Sequence, residues 1–328
     1  MRIFDTRWHG PHGIGRFSSE IHGRLAGFSP IEMRGRPSSP LDPLRLSRHL
    51  RAVRPDLFFS PGYNAPLGAP CPFVFCIHDL NHLCVRQNSS PLKRAYYELI
   101  IRPGVRRARA VLTVSEFSRN AICEWAGVTP ERVANVGNGV SEVFRTEGPV
   151  HPGPGRPYFL HVGNHRPHKN FDGLLRAFAA SRLPGSFALV STGRPSDEVR
   201  RTVARLRLTD SVTFMPEVSD DQLAALYRGA LALAFVSLYE GFGLPIVEAM
   251  ACGTPVLSSN VASMPEVAGD AAILVDPTDT DAIREGLERL AGDEALRQEL
   301  RSRGLERAKL FSWEKTARKV AEALEQFA

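Results

Sequence analysis

The chain has 328 residues, 43% of them hydrophobic and 23% charged, which predicts a folded globular protein with room for two domains. Its apolar runs are too short to cross a bilayer, residues 1–5 lack a signal-peptide core, and five cysteines without paired spacing argue against disulfides and a metal site. The net charge is +6, but no groove-reading module or stacking-aromatic pattern accompanies it, so a cytoplasmic protein without a nucleic-acid partner is expected.

The basic surplus lies in the first half of the chain. Residues 1–150 hold 20 Lys and Arg against 12 Asp and Glu, whereas the remainder holds 21 against 23. A basic half of this kind is suited to an anionic membrane surface or a phosphorylated acceptor. Scattered solvated charge is the plainer alternative, and for the arginines of the amphipathic helix predicted at 41–53 it is the preferred one.

Apolar segments of strand length alternate with helical patterns through the first half. Strands are predicted at 2–5, 56–60, 73–77, 111–115 and 133–136, and further helices at 90–110 and after residue 115, where Ser115 and Ser118 are both possible caps. A glycine loop containing Gly13 and Gly15 opens a helix that runs to residue 25. It is not a dinucleotide fingerprint, because Ser18 takes the third glycine position.

The dense prolines and glycines of residues 146–157 predict a linker and a domain boundary near residue 150. Strands at 158–162, 187–190, 212–214, 231–236, 256–257 and 272–275 then alternate with helices at 171–180, 197–206, 220–229, 246–252 and 279–290. This alternation predicts a doubly wound parallel sheet. The predicted domains are therefore 1–150 and 151–312, followed by a last helix around 313–327.

Two carboxylates bracket a glycine turn in residues 236–256. Gly241 and Gly243 allow a tight turn with exposed backbone, and the helix that follows offers unpaired N–H groups and a partial positive charge to an anion. Glu240 and Glu248 are acceptors for hydroxyl groups. A ligand that places phosphate beside backbone amides and hydroxyl groups beside carboxylates would be a sugar nucleotide. A helix start stabilised by nearby acids is the alternative that this stretch alone would favour.

Several motifs, taken together, resemble one enzyme family. The Glu-x7-Glu spacing around Gly-Phe-Gly-Leu-Pro, continued by residues 258–277, is similar to the signature of the family 4 glycosyltransferases, and most so to their mannosyltransferase-like subgroup. The stretch 163–170 resembles the family's Gly-Thr-x-x-Pro-Arg-Lys-Asn. Residues 10–17, 77–80 and 137–140 resemble its Gly-Ile-Gly-Arg, Val/Ile-His-Asp-Leu and Pro-Asn-Gly-Val motifs. The pattern departs at His168 and Asn164, where many members carry arginine.

The resemblance implies an α/β protein of the GT-B class, with two Rossmann-like doubly wound parallel-sheet domains facing a central cleft. Domain 1–150 is then expected to bind the acceptor and domain 151–312 the nucleotide sugar, and the helix in 313–328 is expected to cross back to the first domain.

The same resemblance implies roles for individual residues. Lys169, helped by Arg166, takes up charge on the departing diphosphate. Glu248 accepts from the ribose, while Glu240 and His78 orient the hexose. Further donor contacts are expected at Gly163, Gly241, Phe242, Gly243, Leu244, Val218, Gly13 and Gly15.

The implied activity is retaining transfer of a mannose-like hexose from a GDP- or UDP-sugar to a saccharide or lipid-linked acceptor in polysaccharide assembly. No metal or cofactor is expected, and the enzyme is expected to be cytoplasmic or peripheral on the inner face of the membrane. Two alternatives stay open: a nucleotide-sugar epimerase or hydrolase on the same scaffold, and a catalytically silent donor-binding partner of another transferase.

Overall fold

A computed structural model of the chain describes residues 1–10, 12–68 and 70–326. It divides into two compact units, which we call the N-terminal unit (Met1–Gly139 with Ser312–Ala328) and the C-terminal unit (Val140–Phe311). Pro11 of the predicted glycine loop and Phe327 of the predicted last helix lie outside the described residues.

The strands of the N-terminal unit all pair in parallel. They are β1 (Arg2–Phe4), β2 (Phe28–Pro30), β3 (Leu57–Ser60), β4 (Phe73–Cys76), β5 (Ala110–Thr113) and β6 (Val133–Asn135). In the described part of this unit they form one sheet in the order β2-β1-β3-β4-β5-β6. Strand β2 was not predicted, since it is short and ends in a proline.

Helices lie between these strands along the chain of the N-terminal unit. They are α1 (Gly13–His22), α2 (Asp42–Val53), α3 (Asn81–Cys84), α4 (Pro91–Tyr96), α5 (Arg102–Arg107) and α6 (Glu116–Ala126). Ser115 caps α6 as predicted, because its hydroxyl accepts from the backbone N–H of Ser118 at 3.0 Å.

The single helix predicted over 90–110 is interrupted. A π-helical turn (Tyr97–Ile101) separates α4 from α5 and buries Tyr97 and Ile101. Pro103 follows at once and has no N–H to donate to the preceding turn, so the regular ladder cannot continue through it. The helical pattern of the sequence was read correctly, but the local change of pitch was not.

The C-terminal unit repeats the parallel alternation. Its strands are β7 (Tyr158–His161), β8 (Ala188–Thr192), β9 (Val212–Met215), β10 (Ala232–Phe235), β11 (Val256–Ser259) and β12 (Ile273–Val275). Among the described residues they form one parallel sheet in the order β12-β11-β10-β7-β8-β9. Strands β7, β8, β10 and β11 are buried throughout, as expected for a parallel sheet covered on both faces. The predicted α/β class with doubly wound parallel sheets is confirmed.

Helices connect these strands, five of them close to the predicted places, whereas those at 264–268 and 294–308 were not predicted. They are α7 (Phe171–Ala180), α8 (Asp197–Arg205), α9 (Asp220–Gly229), α10 (Leu244–Ala251), α11 (Met264–Ala268), α12 (Thr280–Gly292) and α13 (Glu294–Ala308). Ser219 caps α9 in a capping box with Gln222. None of the helices in the described ranges is long and apolar enough to span a membrane.

The first domain boundary lies earlier than predicted, at 139/140 rather than 150/151. Segment 140–157 belongs to the C-terminal unit. Phe144 packs edge-on against Tyr227 of α9, with the ring centroids 5.9 Å apart, and Arg228 donates to the carbonyls of Arg145 and Pro149 at 3.0 and 2.7 Å. Prolines and glycines correctly indicated irregular backbone. They do not reveal that α9 holds this segment.

The last helix, α14 (Trp313–Glu325), groups with the N-terminal unit. Trp313 is buried and lies edge-on to Phe17 of α1, with the ring centroids 6.2 Å apart. Arg24 forms an ion pair with Glu314 at 2.9 Å. The N-terminal unit is therefore built from two separate stretches of the sequence.

Candidate functional site

The sheet of the C-terminal unit has a topological switch point between β7 and β10. From β7, the chain first builds outward through β8 and β9, then returns to add β10, β11 and β12 on the other side. At such a point the loops after the two central strands diverge and leave a crevice at the carboxyl end of the sheet. Here those loops are residues 162–170 and 236–243, which contain most of the predicted site residues.

An ion pair joins the two loops. Lys169 Nζ lies 2.6 Å from Glu240 Oε1, and the two side chains are only 16% and 13% exposed. The same ammonium lies 5.3 Å from the centroid of the Phe235 ring, a favourable cation–π geometry. Two residues that the sequence predicted for different parts of a donor are therefore direct neighbours, although 71 positions separate them.

Asn170 holds the first loop against the second. Its side-chain amide donates to the carbonyls of Val236 and Pro277 at 3.0 and 2.6 Å. Its φ is +55°, a left-handed conformation that asparagine tolerates better than most residues. The buried His168 adds a backbone contact, since its carbonyl accepts from the N–H of Leu238 at 2.7 Å. The asparagine of the Lys-Asn motif was visible in the sequence, but its role in joining the two loops was not predicted.

Serine hydroxyls fix the second loop. Ser263 Oγ contacts the carbonyls of Glu240 and Phe242, each at 2.9 Å, and Ser259 Oγ donates to the carbonyl of Ser237 at 2.6 Å. These hydroxyls satisfy backbone acceptors that a loop of irregular conformation cannot pair within itself. The backbone of Glu240 is consequently held in place independently of its side chain.

Helix α10 begins at the switch point without a side-chain cap. Gly243 precedes it with φ +102°, and Leu244 is its first residue. Gly253 closes its other end with φ +72°, donating its N–H to the carbonyl of Met250 at 2.9 Å. In the first turn Pro245 has no N–H, and the N–H of Ile246 donates to the carbonyl of Gly243 at 3.0 Å. This end of α10 therefore offers an anion mainly the partial positive charge of a helix start.

Gly241 and Phe242 lie in the turn before this helix, and both are buried. The Phe242 ring packs edge-on against Phe311, with the centroids 5.6 Å apart. Its side chain therefore contributes to the core of the C-terminal unit, so a donor contact at this position would have to come from its main chain.

Glu248 is buried in α10, with 4% of its surface exposed. The Tyr227 hydroxyl donates to its Oε2 at 2.9 Å. This contact orients the carboxylate and partly offsets the cost of burying its charge. Tyr227 was not identified from the sequence, because a tyrosine on an amphipathic helix has no distinguishing pattern.

Gly163 follows β7 and donates its N–H to Thr192 Oγ1 at 3.1 Å. A Cβ on this residue would lie 3.4 Å from His161 Nε2 and 3.6 Å from Lys169 Cδ. The position is thus close to the cationic side chain without being sterically closed. Arg166, in the same loop, and Val218, after β9, are exposed and half-buried, respectively.

His161 ends β7 beneath this loop and is fully buried. Its Nδ1 lies 3.3 Å from the carbonyl of Ala234, which can only accept, so Nδ1 carries the hydrogen. Nε2 has no hydrogen-bond partner among the described residues. Burial lowers the pKa of His161 to about 3. In the sequence, the only indication of this buried polar group was a histidine in an otherwise apolar strand.

Three predicted residues lie in the N-terminal unit. His78 follows β4, and its Nε2–H donates to the carbonyl of Pro61 at 2.8 Å. Burial lowers the pKa of His78 to about 4, so the ring is neutral at pH 7, with Nδ1 as an acceptor. Gly13 is the exposed first residue of α1. Gly15 is buried, and a side chain there would collide with the backbone of Gly10, which gives this glycine a packing role.

Comparison with known proteins identifies the family. The model described as Glycosyltransferase Family 4 matches residues 4–143, and the model described as Glycosyl transferases group 1 matches residues 147–307. O-antigen chain mannosyltransferase B of Escherichia coli is 31% identical over 309 residues, which cover 89% of this chain and 80% of that protein.

Two further similarities agree with this. Serotype-specific mannosyltransferase WbdA of E. coli is 30% identical over 228 residues, which cover 64% of this chain but 28% of that much longer protein. Sucrose-phosphate synthase from Thermosynechococcus elongatus is 20% identical and shares the fold, with a TM-score of 0.82 over 99% of this chain and 98% of that one. The predicted GT-B fold class is confirmed, and the chain belongs to glycosyltransferase family 4, with a group 1 glycosyl transferase domain in its C-terminal unit.

Proposed function

We propose that this glycosyltransferase moves a mannose-like hexose from a nucleoside-diphosphate sugar to a saccharide or lipid-linked acceptor in polysaccharide assembly. The observation that carries the proposal is the meeting of Lys169 and Glu240 at the switch point, beside the uncapped start of α10. The mannosyltransferase relatives support mannose as the hexose. They leave GDP and UDP as the two nucleotides to compare.

The departing diphosphate needs positive charge. Lys169 supplies an ammonium, with Arg166 as a second cation, and the start of α10 adds partial positive charge. We propose that these groups replace a metal ion. One such contact to a developing anion is worth about 2–4 kcal/mol of barrier. Main-chain groups at Gly163, Gly243 and Leu244 are expected to lie closest to the phosphates.

The remaining contacts divide between the ribose and the hexose. Glu248, oriented by Tyr227, is proposed to accept from the ribose hydroxyls, and main chain at Val218 to face the base. Glu240 is proposed to accept from the hexose. His78 presents a neutral acceptor suited to a sugar hydroxyl, a role that stays a prediction alongside those of Gly13 and Gly15.

Retention follows in this proposal from attack of the acceptor hydroxyl on the same face that the diphosphate leaves. The leaving phosphate takes the proton of the attacking hydroxyl, and no protein nucleophile forms a covalent bond. Protein cations stabilise the phosphate, while the carboxylate of Glu240 faces the sugar, where positive charge develops as the glycosidic bond breaks.

Donor binding and transfer test this function. We expect GDP-mannose or UDP-glucose, with GDP or UDP, to raise the melting temperature, and a saccharide acceptor to become glycosylated. Glu248→Ala should weaken nucleotide binding in calorimetry, and Lys169→Met should lower turnover by about 30-fold or more. Glu306→Gln, in an exposed Lys–Glu pair of α13, is the control and should change neither.

Other outcomes point to the alternatives. A donor hexose converted or released without any acceptor would indicate an epimerase or a hydrolase. Tight donor binding with no turnover on any acceptor would indicate a silent partner protein. Failure of all four nucleotides to bind would contradict the proposed donor class itself.

A second proposal concerns membrane association through the surface formed by Leu92, Lys93, Arg94 and Leu99. The two leucines are 72% and 71% exposed, next to two cations. Apolar side chains flanked by positive charge favour an anionic lipid surface. We expect the full chain to sediment with phosphatidylglycerol vesicles at low salt, and replacement of both cations with glutamine to abolish this. Leu310→Ser, at another exposed leucine, should leave it unchanged; equal binding to neutral vesicles would contradict the proposal.

A further inference from the structure

We infer that the Lys169–Glu240 ion pair makes the site discriminate between an intact nucleotide sugar and the free nucleoside diphosphate that remains after transfer. The inference rests on the proposed function, because it assumes that Lys169 meets the diphosphate and Glu240 the hexose. What it adds is that the two contacts are energetically linked, since each group is the other's partner in the ligand-free protein.

Loss of the ion pair affects Lys169 and Glu240 together, because each side chain is the other's partner. Within the described residues, Lys169 Nζ donates a hydrogen bond to the Glu240 carboxylate at 2.6 Å. Both side chains are mostly removed from solvent. Ser263 and Asn170 hold the two loops through other atoms, so the backbone does not depend on the pair.

Binding of a free nucleoside diphosphate breaks the ion pair at a cost in free energy. The diphosphate draws the ammonium of Lys169 toward its own oxygens, which leaves the Glu240 carboxylate mostly buried without its cation. Removing one partner of a desolvated pair is costly, because the remaining charge is uncompensated. The added negative charge of the ligand lies nearby and increases that cost. Part of the binding free energy of a nucleoside diphosphate is thus consumed at Glu240.

An intact donor does not meet this penalty. Its hexose brings hydroxyl groups, which are hydrogen-bond donors to a carboxylate, and these replace the ammonium at Glu240. When the hexose is transferred, its hydroxyls leave the site with the acceptor. Glu240 then competes with the diphosphate for Lys169, and re-formation of the ion pair lowers affinity for the product. The pair therefore favours substrate entry and product release at the same site.

Equilibrium binding without acceptor tests the inference. Affinities for GDP, GDP-mannose, UDP and UDP-glucose are measured by calorimetry on the wild-type chain and on Glu240→Gln. We expect Glu240→Gln to bind the matching free diphosphate about tenfold more tightly, because Lys169 is released, and to gain nothing for the sugar-bearing form. Glu306→Gln, which removes an exposed Lys–Glu pair of the same 2.6 Å length, should leave all four affinities unchanged.

A double-mutant cycle separates this mechanism from simple charge removal. If Glu240 only repels the ligand, the gain from Glu240→Gln persists in a Lys169→Met background. If the ion pair is responsible, the gain disappears there. Glu240→Asp adds a variant of unchanged charge whose shorter side chain withdraws from Lys169. It should tighten diphosphate binding, whereas a purely electrostatic effect predicts no change, and it keeps the test decisive if Glu240→Gln folds poorly.

Failure of the proposed function and failure of the inference give different binding results. If the wild type binds none of the four nucleotides, the proposed function is wrong and the inference falls with it. If the wild type binds a donor but Glu240→Gln shows no tighter diphosphate binding, or shows it equally with Lys169→Met, only the linkage between the two contacts is wrong.

Discussion

At the residue scale, His161 illustrates how an unpaired polar atom is placed next to the candidate site. Its ring is fully buried, packs 4.7 Å from the ring of Phe171, and keeps Nε2 without a partner among the described residues. Such an atom costs stability, because it loses its water without gaining a hydrogen bond. No sequence pattern indicates this arrangement beyond the presence of a histidine in an apolar strand.

His161 also gives stability a pH dependence with a definite sign. Its pKa is about 3 in the folded chain and 6.5 when unfolded, so below pH 6.5 the unfolded state takes up a proton that the folded state does not. Folding stability is therefore lost as the pH falls from 6.5 toward 3. From pH 8 to pH 5 this group alone accounts for about 2 kcal/mol.

We predict that His161→Phe removes this part of the pH dependence while matching or exceeding wild-type stability at pH 8. Urea unfolding at pH 8 and pH 5 measures both effects. His78, with its pKa lowered to about 4, remains in both proteins and gives each a further loss of about 2 kcal/mol over the same pH interval. An unchanged difference between the two pH values in His161→Phe would show that His161 does not stay neutral in the folded state.

At the element scale, the sequence predicted α10 well because both of its ends are marked locally. A glycine precedes it, a proline lies in its first turn, and Gly253 closes it. The interrupted helix at 91–107 was predicted less well, since the π-helical turn depends on how Tyr97 and Ile101 are buried as well as on Pro103. Glycines and prolines predict where helices begin and end better than they predict a change of pitch within a helix.

The glycine at the start of α10 allows strain to be separated from site function. Gly243 and Gly185 have nearly the same left-handed φ, +102° and +98°. A Cβ at Gly185 would meet nothing within 4 Å, whereas one at Gly243 would lie 3.1 Å from Ile246 Cδ1. Alanine at either position should cost about 1–2 kcal/mol of stability through backbone strain.

We predict that Gly243→Ala weakens donor binding by an order of magnitude, and that Gly185→Ala leaves it unchanged. The reason is that relief of strain at Gly243 displaces the positively polarised start of α10, which no side chain caps. Calorimetry with the donor, together with urea unfolding of both variants, checks the two effects separately. Equal loss of donor affinity in both would mean that strain, and not the helix start, controls binding.

At the scale of the whole molecule, the chain does not divide into two consecutive domains. The N-terminal unit is completed by α14, whose Trp313 is 1% exposed and lies against Phe17. Gly139, the last residue of the first stretch, has no room for a side chain because the backbone of Trp313 adjoins it. Stability of the first 139 residues therefore depends on residues at the other end of the sequence.

We predict that Trp313→Ala lowers the free energy of unfolding by about 3–5 kcal/mol, the usual cost of emptying a large aromatic site in a core. Leu310→Ala is the control, since Leu310 is 54% exposed and should change stability by less than about 0.5 kcal/mol. Denaturant unfolding followed by far-UV circular dichroism measures both. Equal unfolding midpoints for the two variants would contradict the assignment of α14 to the core of the N-terminal unit.

The sequence alone predicted the strand–helix alternation of both halves, the parallel sheet of the second half and the identity of the charged residues at the strand ends. It could do so because caps, prolines, glycines and hydrophobic periods act within a few residues. Three features became visible in the folded chain alone: Lys169 meets Glu240, Tyr227 donates to Glu248, and the first boundary falls at 139/140. Those features join distant parts of the chain, and local preferences carry no information about which distant groups meet.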